Sequence, residues 1–251
     1  MTLKDKVVVI MGATSGIGRA TAEKLNKAGA KVVVSGRREE RLKDIVANAD
    51  VPETIAYSVA DVVDPAQVQK AVDVAIEKFG RIDVMFNNSG IMPLGMLSDP
   101  DYDINVWKKT FDTNLIGVLN GIKAVLPQMQ KQHSGLIVAT SSVVGHVVMP
   151  AGAAYSASKF GVRAIMETLR QEEYQNGIRS AIISPGGTRT ELVNSIGNEE
   201  IQKNIAEASF SDDLDTAILP EDIANAVIYM IDQPEHVAVS EMIVRPRKQE
   251  I

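Results

Sequence analysis

Val7-Val8-Val9-Ile10-Met11 runs directly into Gly12-Ala13-Thr14-Ser15-Gly16-Ile17-Gly18. An apolar run without polar alternation predicts a strand covered on both faces. The G-x-x-x-G-x-G loop that follows predicts a tight turn opening a helix. Its glycines let the backbone approach a pyrophosphate, and the free N–H groups and positive dipole end of the helix face the phosphates. Similar runs recur at Lys31 to Ser35, Thr54 to Ser58, Ile82 to Phe86, Gly135 to Thr140, Ile178 to Ser184 and Val237 to Val244. Helical periodicity separates them at Ile17 to Ala28, Glu39 to Ala47, Pro65 to Phe79, Val106 to Gln132, Gly152 to Tyr174 and Pro220 to Asp232. This βαβ order predicts an α/β fold of the Rossmann type, a doubly wound parallel seven-stranded sheet with helices on both faces. No Pro/Gly/Ser-rich linker divides it, so residues 1–251 are expected to form one dinucleotide-binding domain with a substrate loop at about 188–215.

The 251 residues carry a net charge of −6, with 45% hydrophobic and 23% charged residues. The acidic balance argues against nucleic acid as a partner, which needs a concentrated basic face. There is no cysteine, so disulfides, thiolate metal sites and thiol nucleophiles are excluded, and a cytoplasmic setting is expected. His133, His146 and His236 lie too far apart for a local metal pair, and no metal is expected. The start of the chain, Met1 to Lys6, alternates charge and lacks the apolar core of a signal peptide. Between Lys131 and Lys159 the chain carries no Asp, Glu, Lys or Arg, but its Ser, Thr, Gly and Pro content reads as buried protein rather than a membrane helix.

At the end of the second strand, where a dinucleotide fold often places a carboxylate for the ribose hydroxyls, this chain has Ser35-Gly36-Arg37-Arg38. Without the carboxylate nothing repels a 2′-phosphate, and a guanidinium can pair with it bidentately, which favours NADP(H). Arg37 is the preferred ligand; Arg38 is either a second one or the start of a solvated helix. Further on, Tyr155-Ser156-Ala157-Ser158-Lys159 places a phenol and an ammonium at i and i+4, on one helix face. A tyrosine with a pKa of about 10 becomes a practical proton-transfer group beside a cation that stabilises its phenolate.

These residues together resemble the short-chain dehydrogenase/reductase family over essentially the whole chain. The resemblance rests on Gly12, Gly16 and Gly18, Asp61, Asn87-Asn88-Ser89-Gly90, Asn114, Ser142, Tyr155 with Lys159, and Pro185-Gly186. It implies that Tyr155 is the general acid in reduction and base in oxidation, and that Ser142, rather than Ser141, bonds the substrate oxygen. Lys159 is implied to hold the nicotinamide ribose and depress the Tyr155 pKa. Asn114 is implied to support a water in a proton relay; a helix cap is the other reading of it. The cofactor set so implied is Gly12, Thr14, Ser15, Gly16, Ile17, Gly18, Arg37, Arg38, Asp61 (adenine), Val62, Asn88 (adenosine ribose), Gly90, Tyr155, Lys159, Pro185, Gly186, and Thr188 with Thr190 at the carboxamide end.

Met11 and Ser89 depart from the family pattern without touching this chemistry, whereas the stretch His236 to Pro246 lacks the common Gly-Gly ending. That stretch resembles a bacterial subgroup including 3-hydroxy acid dehydrogenases and clavulanate-type aldehyde reductases. The implied activity is NADP-dependent hydride transfer between nicotinamide and a ketone, aldehyde or secondary alcohol. A 3-hydroxy acid dehydrogenase is the alternative, with Arg189 as carboxylate partner. A noncatalytic NADP-binding sensor should have lost Tyr155 or Lys159, and an adenosylmethionine methyltransferase gives no reason for Ser142, Tyr155 and Lys159. Apolar stretches Gly90 to Met96 and Val147 to Pro150, containing Met92, Met96 and Met149, suggest an apolar substrate. Gly186, Gly187 and Gly197 are candidate hinges of a lid. The long segments Val106 to Gln132 and Gly152 to Tyr174 carry apolar residues on more than one face and imply a homotetramer or dimer.

Overall fold

The computed structural model describes residues 3–209 and 213–249; Met1, Thr2, three residues of the expected substrate loop, Glu250 and Ile251 lie outside them. The described strands are β1 (Val7–Met11), β2 (Lys31–Gly36), β3 (Ile55–Val59), β4 (Val84–Asn87), β5 (Gly135–Thr140), β6 (Ile178–Pro185) and β7 (Glu241–Val244). The helices are α1 (Gly16–Lys27), α2 (Glu39–Ala47), α3 (Pro65–Phe79), α4 (Ile104–Phe111), α5 (Gly117–Gln132), α6 (Ala153–Glu173), α7 (Glu199–Ser209) and α8 (Pro220–Ile231). The strands form one seven-stranded sheet in the order β3-β2-β1-β4-β5-β6-β7, and every neighbouring pair is parallel. The chain therefore winds outward in both directions from β1 and β4, leaving a crevice beyond their carboxyl ends.

Burial on both faces explains the near-continuous apolar strands. Val7, Val9 and Met11 meet Val72 of α3, Val125 of α5 and Met166 of α6, while Val8 and Ile10 meet Leu25 of α1, Leu42 of α2 and Val227 of α8. Each such side chain contributes about 1.5–3 kcal/mol of burial energy. Close packing also explains Gly121 on α5, whose Cα lies against the carboxamide of buried Asn87 at the end of β4. A methyl there would collide with Asn87 Oδ1. Gly121→Ala is therefore expected to destabilise the fold by about 1–3 kcal/mol, read as a lowered Tm in a thermal melt.

Three expected elements differ. The segment Val106 to Gln132 is two helices, because a π-helical turn at Asp112–Ile116 interrupts it, and α4 starts earlier, at Ile104, where Asp103 accepts from the Asn105 and Val106 N–H groups. The last strand is shorter than Val237 to Val244, because Arg179 Nη1 takes the Val237 carbonyl at 2.7 Å, leaving it no ladder role. The segment expected to be a substrate loop contains a helix, α7, whose Ile201 and Ile205 lie against Leu94, Val143, Val144, Tyr155, Val193 and Ile196. Its signal was the i, i+4 spacing of those isoleucines after Asn198, which accepts from the Ile201 N–H at 3.1 Å.

Candidate active site

A cleft of about 600 Å³ opens at the carboxyl ends of the central strands. Gly12 and Gly16 turn with φ of +86° and +55°, a left-handed conformation that only glycine adopts without strain. Gly18 brings α1 onto the loop, for a Cβ there would overlap the Gly12 carbonyl. Asn88 ties the loop across the sheet, donating to the Gly12 carbonyl at 3.0 Å and accepting from Thr140 Oγ1 at 3.0 Å.

At the other end of the cleft the first turns of α6 carry Tyr155 and Lys159. Lys159 Nζ donates to the Thr140 carbonyl at 2.8 Å and lies 5.6 Å from the centre of the Tyr155 ring. Both side chains are buried. Burial pushes the Tyr155 phenol up to about 12, against the pull of its hydrogen bond with Ser142, and pushes the Lys159 ammonium down to about 8. Desolvation is the largest influence on the Tyr155 phenol, and the Lys159 ammonium is aimed at a backbone carbonyl. Ser142 Oγ accepts from the Val144 N–H at 3.3 Å and donates to the Pro185 carbonyl at 3.4 Å, which fixes it beside the phenol. Ser141 is structural, donating to the Lys159 carbonyl at 3.0 Å.

The short chain dehydrogenase family model matches residues 6–201. This chain belongs to that family. As a short chain dehydrogenase it is an oxidoreductase, and it is 43% identical over 251 residues to an uncharacterized oxidoreductase of Staphylococcus saprophyticus, with 99% of both chains covered. Levodione reductase superimposes with a TM-score of 0.85 at 32% identity over 96% of each chain. The closed form of a serine dehydrogenase complexed with NADP+ superimposes with a TM-score of 0.87 at 28% identity, covering 98% of this chain and 96% of its own. Another solved short-chain dehydrogenase/reductase, from Burkholderia phymatum, holds NAD.

Within this dehydrogenase the cleft collects nearly every residue singled out from the sequence; Gly18 and Asn114 stand behind its wall. Asn114 sits in the π-helical turn rather than capping a helix. Its Oδ1 accepts from the Ile91 N–H at 2.9 Å, and its Nδ2 donates to the Ile91 carbonyl at 2.9 Å and to Ser158 Oγ at 3.0 Å. It thereby locks the segment after β4 onto α6. Arg38 is no mere opening of a solvated helix: Nη2 donates to Thr14 Oγ1 at 2.7 Å and to Ser15 Oγ at 2.8 Å. Arg37 is the more exposed, at 67%, with Nη1 3.9 Å from Asp61 Oδ2.

Of the three methionines only Met92 and Met149 reach the cleft; Met96 is exposed, as are Val147 and Val148. Arg189 lies along a second cavity with Arg19 and Arg41, outside the main cleft. Among the candidate hinges, Gly197 has a left-handed φ of +83°, but Gly186 and Gly187 are pinned. The Gly186 N–H donates to the Val244 carbonyl and the Gly187 N–H to Gln249 Oε1, both at 2.8 Å. Glu191 and Gln249 line the cleft without having been singled out. Charge between two basic residues and their loop partner across about 150 positions leaves no local pattern, so neither was legible.

Proposed function

We propose that this dehydrogenase uses NADP(H) to interconvert an apolar ketone or aldehyde and its alcohol, with Tyr155 as proton donor and acceptor. The convergence of Tyr155, Ser142 and Lys159 in one cleft with the glycine loop carries the proposal. The residues present fit a dinucleotide: Gly12 and Gly16 form a side-chain-free cradle at the α1 N-terminus, and Arg37 and Arg38 supply cations at its rim. Gly12, Thr14, Ser15, Gly16 and Ile17 would hold the pyrophosphate, Asp61, Val62 and Asn88 the adenosine end, and Gly90, Lys159, Pro185, Gly186, Thr188 and Thr190 the nicotinamide end. When bound, the nicotinamide supplies or accepts the hydride.

Tyr155 keeps its proton at neutral pH and is ready to give it to a developing alkoxide, while the Ser142 hydroxyl orients the same oxygen. Lys159, charged below its pKa of about 8, stabilises the resulting phenolate. Reduction is therefore expected to be fastest below about pH 8 and to fall above it, as Lys159 loses its proton; oxidation is expected to rise with pH toward that point, as a growing fraction of Tyr155 becomes phenolate beside the charged Lys159. Initial rates in both directions across a pH series test this.

At the substrate end Met92, Met149, Val143, Val144, Leu192 and Ile205 make the wall apolar. Arg189 lies along the second cavity, which speaks against it as the carboxylate partner of a 3-hydroxy acid, and Arg189→Ala should leave the substrate preference unchanged in a panel of ketones with and without a carboxylate. A preference for carboxylates that Arg189→Ala abolishes would reverse the assignment. A noncatalytic NADP sensor is disfavoured by the retained Tyr155 and Lys159; absence of NADPH oxidation with every carbonyl tried would restore it.

NADPH is expected to exceed NADH in kcat/KM, and Arg37→Ala should cost NADPH about 1.5–3 kcal/mol while sparing NADH. Equal efficiency with both would overturn the NADP assignment. Gly36→Asp is a poor probe of it, because a Cβ at Gly36 would lie 2.7 Å from the Thr14 methyl. We further infer a homotetramer or dimer, since Ile116 and Phe160, beside and on the long helices, are exposed apolar groups. A light-scattering mass of 27.1 kDa would contradict that. No described helix is long and apolar enough to cross a membrane; a cytoplasmic setting is proposed from the cysteine-free sequence.

A further inference from the structure

Glu191 opens the short helical turn Glu191–Ser195 on the substrate side of the cleft, yet its carboxylate reaches back to α2 and the residue capping it. Oε2 accepts from Arg38 Nη1 and Oε1 from Arg41 Nη1, each at 2.6 Å, across 153 and 150 residues of sequence. Arg38 is the same guanidinium that holds Thr14 and Ser15 of the glycine loop. The two arginines hold the Glu191 carboxyl down to about 2, so it is an anion at any working pH. The same short turn reaches the substrate end: Val193 packs in the cluster that contains Tyr155, and Ser195 Oγ accepts from the Met92 N–H at 2.8 Å.

A fixed carboxylate on a guanidinium at the rim of a phosphate site has a definite consequence. A 2′-phosphate approaching Arg38 meets a cation already paired, and a carboxylate that repels it. We propose that Glu191 is a cofactor-specificity residue: it occupies Arg38 as a surrogate anion, and the 2′-phosphate binds by displacing it, which leaves Glu191 to Arg41 alone and loosens the start of the Glu191–Ser195 turn. NADH, with no charge at that position, leaves the pair intact. The proposal rests on the NADP reading above, and it makes the grip of the substrate segment depend on which cofactor is bound.

The test is Glu191→Gln, at a side chain that is 40% exposed and outside the core. Dissociation constants for NADPH and NADH are measured by titration on the wild type and the variant, with hydrogen exchange followed at the amides of residues 190–195. Removing the competing charge should tighten NADPH about tenfold and change NADH less than about twofold. In the wild type NADPH should leave these amides exchanging faster than NADH does, and in the variant the difference should vanish. Equal effects on both cofactors, weaker NADPH binding, or identical exchange under both in the wild type would each overturn the proposal. A wild type that prefers NADH would instead refute the NADP reading, and the shift of the ratio toward NADPH in Glu191→Gln would still be required.

Discussion

Tyr155→Phe is expected to lower kcat about 10²- to 10⁴-fold while NADPH binds with unchanged affinity. The substitution removes one hydroxyl and keeps the ring, which packs with Leu94, Val143, Val144, Val193 and Ile196. Stability should therefore hardly move, and the loss should fall on the proton-transfer step. Titration of NADPH, a thermal melt and a turnover assay on one preparation separate the three effects. A variant that keeps most of its kcat would remove Tyr155 from the chemistry.

Lys159→Met is expected to lose activity on a similar scale, about 10²- to 10³-fold, through the missing positive charge at the developing phenolate. It differs from Tyr155→Phe in two readouts. The fall in reduction above about pH 8 should disappear, because the group that titrates there has gone. NADPH should bind more weakly, because the ammonium implied to hold the nicotinamide ribose is absent. Stability should be preserved or improved at neutral pH: the folded pKa of Lys159 is depressed, so its charged form is disfavoured by folding below its ordinary range near 10.5, and an apolar replacement removes that cost. An unchanged pH profile in Lys159→Met would assign the alkaline fall to another group.

Much of this was legible because it is local. Apolar runs of five to eight residues, separated by helical segments, gave the sheet and its layers, and the i, i+4 pair Tyr155 and Lys159 pointed both groups into one space. What escaped was set by partners distant in sequence. Whether Arg38 was a phosphate ligand or a solvated surface residue depended on Thr14, Ser15 and Glu191, and the direction of the Tyr155 pKa shift depended on burial among several segments. The π-helical turn around Asn114 could not be read either, because a single extra residue in a helix leaves the apolar period almost intact. Helix α7 was hidden for a different reason: its apolar face is only Ile201 and Ile205, a short stripe beside charged residues.

Gln249 closes the cleft wall from the last stretch of the described chain, receiving the Gly187 N–H across 62 residues, while Arg247 and Lys248 pair with Asp215 and Asp213 at the far end of the substrate segment. Protein is made from the amino end, so the glycine loop and the Tyr155 helix emerge well before this clasp exists. At about 5–20 residues per second, the interval between the appearance of Lys159 and that of Gln249 is roughly 5–20 s. Through that interval a growing chain carries an unfinished pocket wall whose apolar lining, Met92 and Met149 among it, faces solvent or whatever chaperone attends the ribosome. Truncation before Gln249 should therefore show first as aggregation during expression and only afterwards as lost turnover.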